Sequence, residues 1–285
     1  MIDLHTHSAA SDGSYSPSAL IAEAAKQGIS ALALTDHDTI DGLQEAKTAA
    51  FTHGIHFIPG VELEISWTGP GEFHLLGLGL QTPSPSFMAA IEELGRRRKE
   101  RNLEMVQRMN EAGIDVSYGD LIASTRGPSI GRPHFADFLV KRKITRNREQ
   151  AFNHYLGKGK PFFIPKVGLE FDQAAEVIRE SEGISVLAHP MSLYVSWGRF
   201  EDFIIDLKKR GLDGLEAWHP TTKLSACKRL ELLGKKLGLC ITAGSDFHGE
   251  RRPGRKLGFT AGNKRIDSSL VHGITAIYPS TEMMS

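Results

Sequence analysis

Histidine and carboxylate side chains recur along the whole chain at short local spacings: His5 and His7, the run Asp36-His37-Asp38, Glu62 and Glu64, His74, His189, His219, and Asp246 with His248. Imidazole nitrogen and carboxylate oxygen without thiolate suit Zn²⁺, Mn²⁺ or Fe in a reactive site and argue against a structural zinc knot. The chain holds 12 histidines against 2 cysteines. One catalytic zinc takes about three protein ligands, so this many candidates would serve two or three ions sharing bridging carboxylates. Packed together without cations, the same groups would cost desolvation and repulsion.

Each residue alone has a plainer reading. The His-Thr-His run is also an ordinary polar strand end, and Asp38 or Asp41 could cap the next helix. His74 could be a satisfied core histidine, and Asp246 with His248 could form a turn after Gly244-Ser245. Their joint placement argues otherwise. Seven apolar or β-branched runs read as strands, over Met1–His7, Ile29–Thr35, Phe57–Ile65, Phe73–Leu80, Ile184–His189, Gly214–Trp218 and Leu239–Gly244. The chemical residues lie in or directly after these runs, with His74 at the start of the fourth.

Between the runs the helix signals are clear. Ser16-Pro17 opens an apolar-periodic stretch that closes at Gly28, in the order of N-cap, first-turn proline and terminal glycine. Asp41–Gly54, Asp172–Glu182, Phe200–Arg210 and Thr222–Leu237 read the same way. Alternating strand and helix implies a parallel α/β sheet, closed or nearly closed into a barrel, with an open doubly wound sheet as the alternative. Barrel active sites lie at the carboxyl ends of the strands, where these residues would converge. From about Ser84 to Gly157 the strand signal vanishes, and Ser86–Ala112, Tyr118–Ser124, Arg132–Lys141 and Asn147–Leu156 look helical. The expected organisation is a barrel over 1–83 and 158–285 with a helical insertion over 84–157 acting as a lid or recognition element.

The 285 residues are 40% hydrophobic and 24% charged, with 34 basic and 34 acidic residues in balance. That composition excludes a disordered tail. The absence of a basic excess argues against gripping long duplex nucleic acid. No apolar run reaches the roughly 20 residues of a membrane span, and no secretory leader is visible. With only Cys227 and Cys240, a reducing, cytoplasmic setting is expected. Gly69, Gly71, Gly77 and Gly79 form neither a P-loop nor a dinucleotide motif.

His5–His7 in HTH, Ser11–Gly13 in SDG, Thr35–Asp38 in TDHD, Glu62 in GVELE, Ala188–Pro190 in AHP and Ser245–His248 in SDFH stand in the order found in the polymerase and histidinol phosphatase (PHP) metallophosphoesterases. The chain resembles that family from His5 to His248, the helical insertion apart. It is most similar to stand-alone 3′,5′-nucleotide bisphosphate phosphatases and short-RNA 5′ exonucleases. The resemblance implies an α/β fold, a distorted seven-stranded (β/α)7 barrel, and a trinuclear site, usually manganese, with Fe or Zn as alternatives. In that reading His5, His7, Glu62 and Asp246 hold one ion, Glu62 bridges to a second, and Asp12, His37, His74, His189 and His248 complete the other two. Glu62, His189 and Asp246 would carry catalysis.

The expected chemistry is in-line attack on phosphorus by a hydroxide bridging the metals, since metal binding lowers the pKa of water from 15.7 to about 7. The expected substrate is a nucleoside 3′,5′-bisphosphate losing its 3′-phosphate, with short single-stranded RNA trimmed from the 5′ end as a second substrate. Arg132 and His134, at a helix start after Gly131, and Lys166, where the chain re-enters the barrel, are the candidates to bind the phosphate that is not cleaved. Asp38 and His219 are expected beside the pocket in orienting or proton-transfer roles. The basic run Arg96–Lys99 with Arg101 reads as a solvated helix face, and Phe135, Phe162 and Phe163 read as core. Histidinol phosphate or another small phosphomonoester is the alternative substrate. An amidohydrolase is weaker, because no lysine stands at a strand end, and a non-catalytic nucleic-acid binding module is weaker still.

Overall fold

The computed structural model describes residues 1–123, 130–271 and 273–274. Ser124, the last residue of one expected helix, lies outside them, as does the chain after 274. Seven strands of the described residues form one sheet in sequence order: β1 (Ile2–Thr6), β2 (Ala31–Leu34), β3 (His56–Ile65), β4 (Phe73–Leu78), β5 (Ile184–Leu187), β6 (Gly214–Trp218) and β7 (Cys240–Ala243). A parallel bridge between Thr6 and Phe247 brings the segment after β7 onto β1, so the sheet nearly closes into the expected barrel.

The sheet is not wholly parallel. β4 runs antiparallel to both β3 and β5. The connection over 66–72 is too short for a parallel crossover, which needs about a dozen residues or more, so β3 and β4 pair as a hairpin. The reversal places the start of β4 at the end of the barrel where the other strands finish. His74 therefore pairs with Glu64 in register and joins the strand-end residues.

Helices α1 (Pro17–Lys26) and α2 (Leu43–His53) cover β2 and β3. The Ser16 hydroxyl accepts from Ala19 N–H at 3.2 Å at the start of α1, and Leu20, Ile21 and Ala24 form its buried stripe. α2 starts at Gly42 with no side-chain cap, so neither Asp38 nor Asp41 takes the capping role open to it. α7 (Phe171–Glu180), α8 (Trp197–Lys209) and α9 (Leu224–Lys236) pack over the remaining strands. Small and branched residues such as Ala31, Ala33, Ile58, Val186 and Ala243 fill the barrel interior with Ile2 and Leu4.

Between β4 and β5 come α3 (Pro85–Glu111), α4 (Tyr118–Ala123), α5 (Arg132–Lys141), α6 (Arg148–Ala151) and a wide helical turn over Phe152–Leu156. Ser84 caps α3, accepting from Phe87 N–H at 3.1 Å. Its first half packs Phe87, Ala90 and Leu94 on the barrel, and its second half packs Met105 and Met109 into a separate cluster with Leu121, Phe135, Leu139, Leu156 and Phe162. One long helix thus belongs to two cores.

Candidate metal centre

Backbone hydrogen bonds stitch the strand ends together. Asp246 N–H donates to His5 O and His7 N–H to Phe247 O, each at 2.9 Å. Glu62 N–H donates to Asp36 O at 3.1 Å, and Asp38 N–H to Glu62 O at 3.0 Å. Asp38, His189 and Asp246 take φ angles of 51°, 28° and 51°. Non-glycine residues in such backbone cost about 1–3 kcal/mol each, a strain that persists only where the surroundings over-determine it and that clusters at functional sites. Gly244 meets a close approach: a Cβ there would lie 2.2 Å from His5 Cβ and 2.8 Å from Glu216 Oε1.

Glu62, 1% exposed, is the centre of the arrangement. Its Oε2 lies 3.3 Å from both His5 Nε2 and His7 Nε2 and 3.0 Å from His37 Nδ1. Its Oε1 lies 3.0 Å from His74 Nδ1 and 2.9 Å from His189 Nε2. Asp246 Oδ1 is 3.4 Å from His7 Nε2 and 3.7 Å from His5 Nε2. Asp12 Oδ1 is 3.1 Å from His248 Nε2 and 4.0 Å from His37 Nε2. All nine residues that the family resemblance marks as ligands thus come together from positions far apart in the chain.

Three groups have ligand atoms all within 4.8 Å of one another: His5, His7 and Asp246; His7, Asp12, His37 and His248; His37, Glu62 and His74. Several of these atoms lack hydrogen-bond geometry despite their crowding. Glu62 Oε2, Asp12 Oδ1, His248 Nε2 and His7 Nδ1 are buried without a hydrogen-bond partner. Buried polar atoms rarely stay unsatisfied, and lone pairs of nitrogen and oxygen converging on one spot suit borderline divalent cations. The residues present fit a metal cluster.

The electrostatics agree. Burial works against the charge of Glu62, yet His37, His5 and His74 hold its carboxyl well below the usual range. Burial likewise opposes the charge of Asp246, but Arg252 and His248 hold that carboxyl far down. Burial pushes the His248 imidazole down to about 4, leaving a neutral ring whose lone pair can ligate. His7 and His74 go the other way against their burial: Asp246 and Glu62 draw His7 up to about 9, and Glu64 and Glu62 draw His74 up to about 10.

A second layer holds the first. Glu216 Oε1 sits 3.0 Å from His5 Nδ1 while its Oε2 accepts His189 N–H at 2.6 Å. Glu64 Oε2 sits 2.9 Å from His74 Nε2, and Ser192 Oγ 2.8 Å from His189 Nδ1. Asp36 accepts from Ser8 N–H at 2.8 Å and from the hydroxyls of Ser8 and Ser11, fixing the loop that carries Asp12. Asp246 Oδ2 receives Arg252 Nη1 at 2.7 Å, with Arg255 Nη2 and His219 Nε2 each at 3.3 Å. Such partners set ligand tautomer and orientation. The sequence reading missed Glu216, Arg252 and Arg255. A lone carboxylate in the apolar strand Leu215-Glu216-Ala217-Trp218 was the available signal, since a buried charge needs a partner.

Beside the cluster lies a cavity of about 330 Å³ whose walls include Arg98, Arg101, Arg132, Lys166 and Arg252, with Glu72 at its edge. Arg132 Nη2 donates to Glu72 Oε1 at 2.8 Å and stacks over the Phe163 ring at 5.5 Å. Lys166 Nζ bonds Glu64 and lies 3.5 Å from His74 Nε2. Asp38 accepts Glu64 N–H at 2.8 Å and bonds Arg98, so it positions a cation. His134 is buried away from this cavity: Gly131 N–H donates to its Nδ1 at 3.0 Å, and Arg251 Nη1 lies 2.6 Å from its Nε2. Phe135 and Phe162 are core residues, as their sequence context suggests.

The basic run on α3 is not one solvated face. Arg96 is exposed and pairs with Glu93 and Glu100, but Arg98 and Arg101 turn inward to the cavity. Helical spacing explains this, because residues three apart share a face. Arg101 is only 8% exposed; its Nη2 reaches Asn102 Oδ1 at 3.1 Å and its Nε has no partner. Burial and the neighbouring Arg98 and Arg132 push its guanidinium down to about 10.

Comparison with known proteins bears on this geometry. The model of the PHP domain family matches residues 3–188. A 5′-3′ exoribonuclease of Haemophilus influenzae is 36% identical over 246 residues, 86% of this chain and 89% of the relative. A 3′,5′-nucleoside bisphosphate phosphatase of Chromobacterium violaceum is 34% identical over 260 residues, 91% of each chain. The crystal structure of a protein from Bifidobacterium adolescentis, assigned as a metal-dependent phosphoesterase, superposes with a TM-score of 0.85 at 27% identity, over 96% of this chain and 95% of that one. Matches of this length, on a barrel whose strand ends carry such a cluster of histidines and carboxylates, leave one assignment: the chain belongs to the PHP domain family and is a phosphoesterase of the metal-dependent kind.

Proposed function

We propose that this phosphoesterase removes the 3′-phosphate of nucleoside 3′,5′-bisphosphates and also trims short RNA from its 5′ end. The observation that carries the reading is the placement of a cavity with five cationic residues directly against the Glu62 cluster. A bisphosphate has two anionic ends, one to be held and one to be cleaved. Arg98, Arg101, Arg132 and Lys166 would grip the 5′-phosphate, using the bidentate geometry of guanidinium on phosphate. His134 would fix the turn from which Arg132 projects.

His5, His7, Asp12, His37, Glu62, His74, His189, Asp246 and His248 would hold the metals, with manganese the expected ion and three the expected number. Bound there, the ions would supply an acidified water and neutralise charge on the phosphoryl group. Glu62 contributes two oxygens to different sets of histidines, the geometry of a bridging ligand. Asp246 presents Oδ1 to His5 and His7 while Arg252, Arg255 and His219 restrain Oδ2. His189 is aimed at Glu62 by Ser192. The helices over 84–157 serve as the recognition lid over a barrel formed by 1–83 and 158–285. Among the described residues no helix is long and apolar enough to cross a membrane. With both cysteines free, we place the protein in the cytoplasm.

The test is metal analysis of protein purified without chelator, combined with phosphate release from adenosine 3′,5′-bisphosphate and from histidinol phosphate at matched concentration. We expect more than one equivalent of Mn, Fe or Zn, preference for the bisphosphate, and a loss of at least about a hundredfold in Asp246→Asn. A strong preference for histidinol phosphate overturns the substrate assignment.

A further inference from the structure

Two cavities open on the cluster, and they share His37, Glu72, His74 and Arg252. The larger is the cationic one assigned above to the phosphate that is not cleaved. The smaller, about 140 Å³, adds Glu62, His189, His219 and Asp246 of the cluster to its walls, together with Ser192, Thr221 and Arg255. With the 5′-phosphate held in the larger cavity and phosphorus at the cluster, whatever is bonded to phosphorus on its far side must enter the smaller one. In a mononucleotide bisphosphate that is a bare oxygen. In an oligonucleotide it is the next nucleotide.

The bond that breaks is the same in both. Water adds its oxygen to phosphorus, the P–O3′ bond breaks, a proton goes to O3′, and the phosphate departs on the downstream piece or as inorganic phosphate. The downstream piece therefore needs a path out that does not cross the 5′-phosphate anchor, and the smaller cavity supplies one lined by two arginines.

Next to its wall residues Glu72 and Ser192 stands an unexplained aromatic side chain. Ser192 Oγ donates to Glu72 O at 2.9 Å, and Glu72 N–H donates to Ser192 O at 3.1 Å, tying the loop after β5 to the one before β4. Two residues on, Tyr194 is 72% exposed and has a φ of 52°. Left-handed backbone is uncommon for a bulky residue, and so exposed a ring has little packing to account for it. Its edge lies over Gly71, where a Cβ would sit 2.8 Å from Tyr194 Cδ2, beside the Glu72 that faces both cavities. An exposed ring beside a cleft that carries arginines, here Arg252 and Arg255 paired with Asp246, is a combination that binds single-stranded nucleic acid without base readout.

We propose that the smaller cavity and Tyr194 beside it form a subsite for the nucleotide on the 3′ side of the scissile phosphate. The subsite makes a 5′-phosphorylated oligonucleotide, and not only a mononucleotide, a substrate of this site. The inference rests on the bisphosphate reading above. Stacking of one base on an aromatic ring contributes about five- to a hundredfold in affinity.

The experiment compares wild type, Tyr194→Ala and Tyr194→Phe on adenosine 3′,5′-bisphosphate and on a 5′-phosphorylated RNA trinucleotide. It adds equilibrium binding of a 3′-labelled trinucleotide to protein kept metal-free with chelator. We expect Tyr194→Ala to raise KM for the trinucleotide and weaken its metal-free binding by at least about fivefold, to leave the bisphosphate within twofold, and Tyr194→Phe to restore both. Equal effects on the two substrates, or no effect on the trinucleotide, overturn the subsite. Wild type that hydrolyses the bisphosphate and ignores the trinucleotide overturns the subsite and the RNA-trimming part of the proposed function, and leaves the bisphosphate reading standing. Wild type that hydrolyses neither overturns the bisphosphate reading and the subsite with it.

Discussion

His5 Nε2 and His7 Nε2 lie 3.0 Å apart, both buried and both within 3.3 Å of Glu62 Oε2. Two imidazole nitrogens this close must share a proton or a cation, because two facing lone pairs repel. Strand alternation puts the two rings on one face, and Glu62 from β3 meets them there.

Metal loading should therefore expel protons. Ligating histidines must be unprotonated, yet the metal-free site holds His7 up at about 9 and His74 at about 10. At pH 8 both rings carry protons before loading. Titration of metal-free protein with Mn²⁺ in weakly buffered solution at pH 8 should release at least about one proton per chain, and Mn²⁺ affinity should rise from pH 6 to pH 8. A loading step with no proton release would contradict the proposed ligand set.

Glu216 touches no candidate substrate, yet it holds His5 by one oxygen and the His189 backbone by the other. Glu216→Gln keeps the shape and removes the charge. The expected result is a loss of about 10- to 100-fold in metal affinity, the scale for partners behind a ligand, read as metal content after dialysis against graded chelator. Unchanged metal content would make Glu216 a simple core residue.

Arg101 gives a prediction with two opposite signs. A buried guanidinium with an unpartnered Nε costs the free protein stability, while a charged hydrogen bond to phosphate contributes about 1.5–3 kcal/mol. Arg101→Met should raise the melting temperature of the ligand-free protein and raise KM for the bisphosphate by about tenfold or more, with kcat little changed. A fall in melting temperature together with an unchanged KM would show that the arginine serves packing alone.

His134 should contribute to acid sensitivity. Burial first, and then Arg251, push its imidazole down to about 4, below the ordinary value of about 6.5 in an unfolded chain. A folded-state pKa below the unfolded one means the unfolded chain binds the proton first as pH falls. The stability is complete above about 6.5 and lost as pH falls towards 4. The drop in melting temperature between pH 7 and pH 5 should be smaller in His134→Gln than in wild type. Parallel drops would show that His134 does not titrate in this window.

The amino-acid order alone determined which side chains could do chemistry here and where along each strand they stand. Ligand type is a property of the residue, and apolar periodicity marks strand ends and helix caps, so His5, His7, Glu62, His189 and Asp246 were legible as a set together with the barrel and the helical insertion. Tertiary structure decided the rest. The direction of β4, which brings His74 into the site, follows from hairpin pairing across 66–72, a constraint of connection length that periodicity does not register. The choice between Arg96 facing water and Arg101 facing the cavity depends on what α3 packs against, and the role of Glu216 depends on a strand far away in sequence. Periodicity reports the side of an element on which a residue lies, whereas a charge acquires its function from the groups that only the closed barrel sets opposite it.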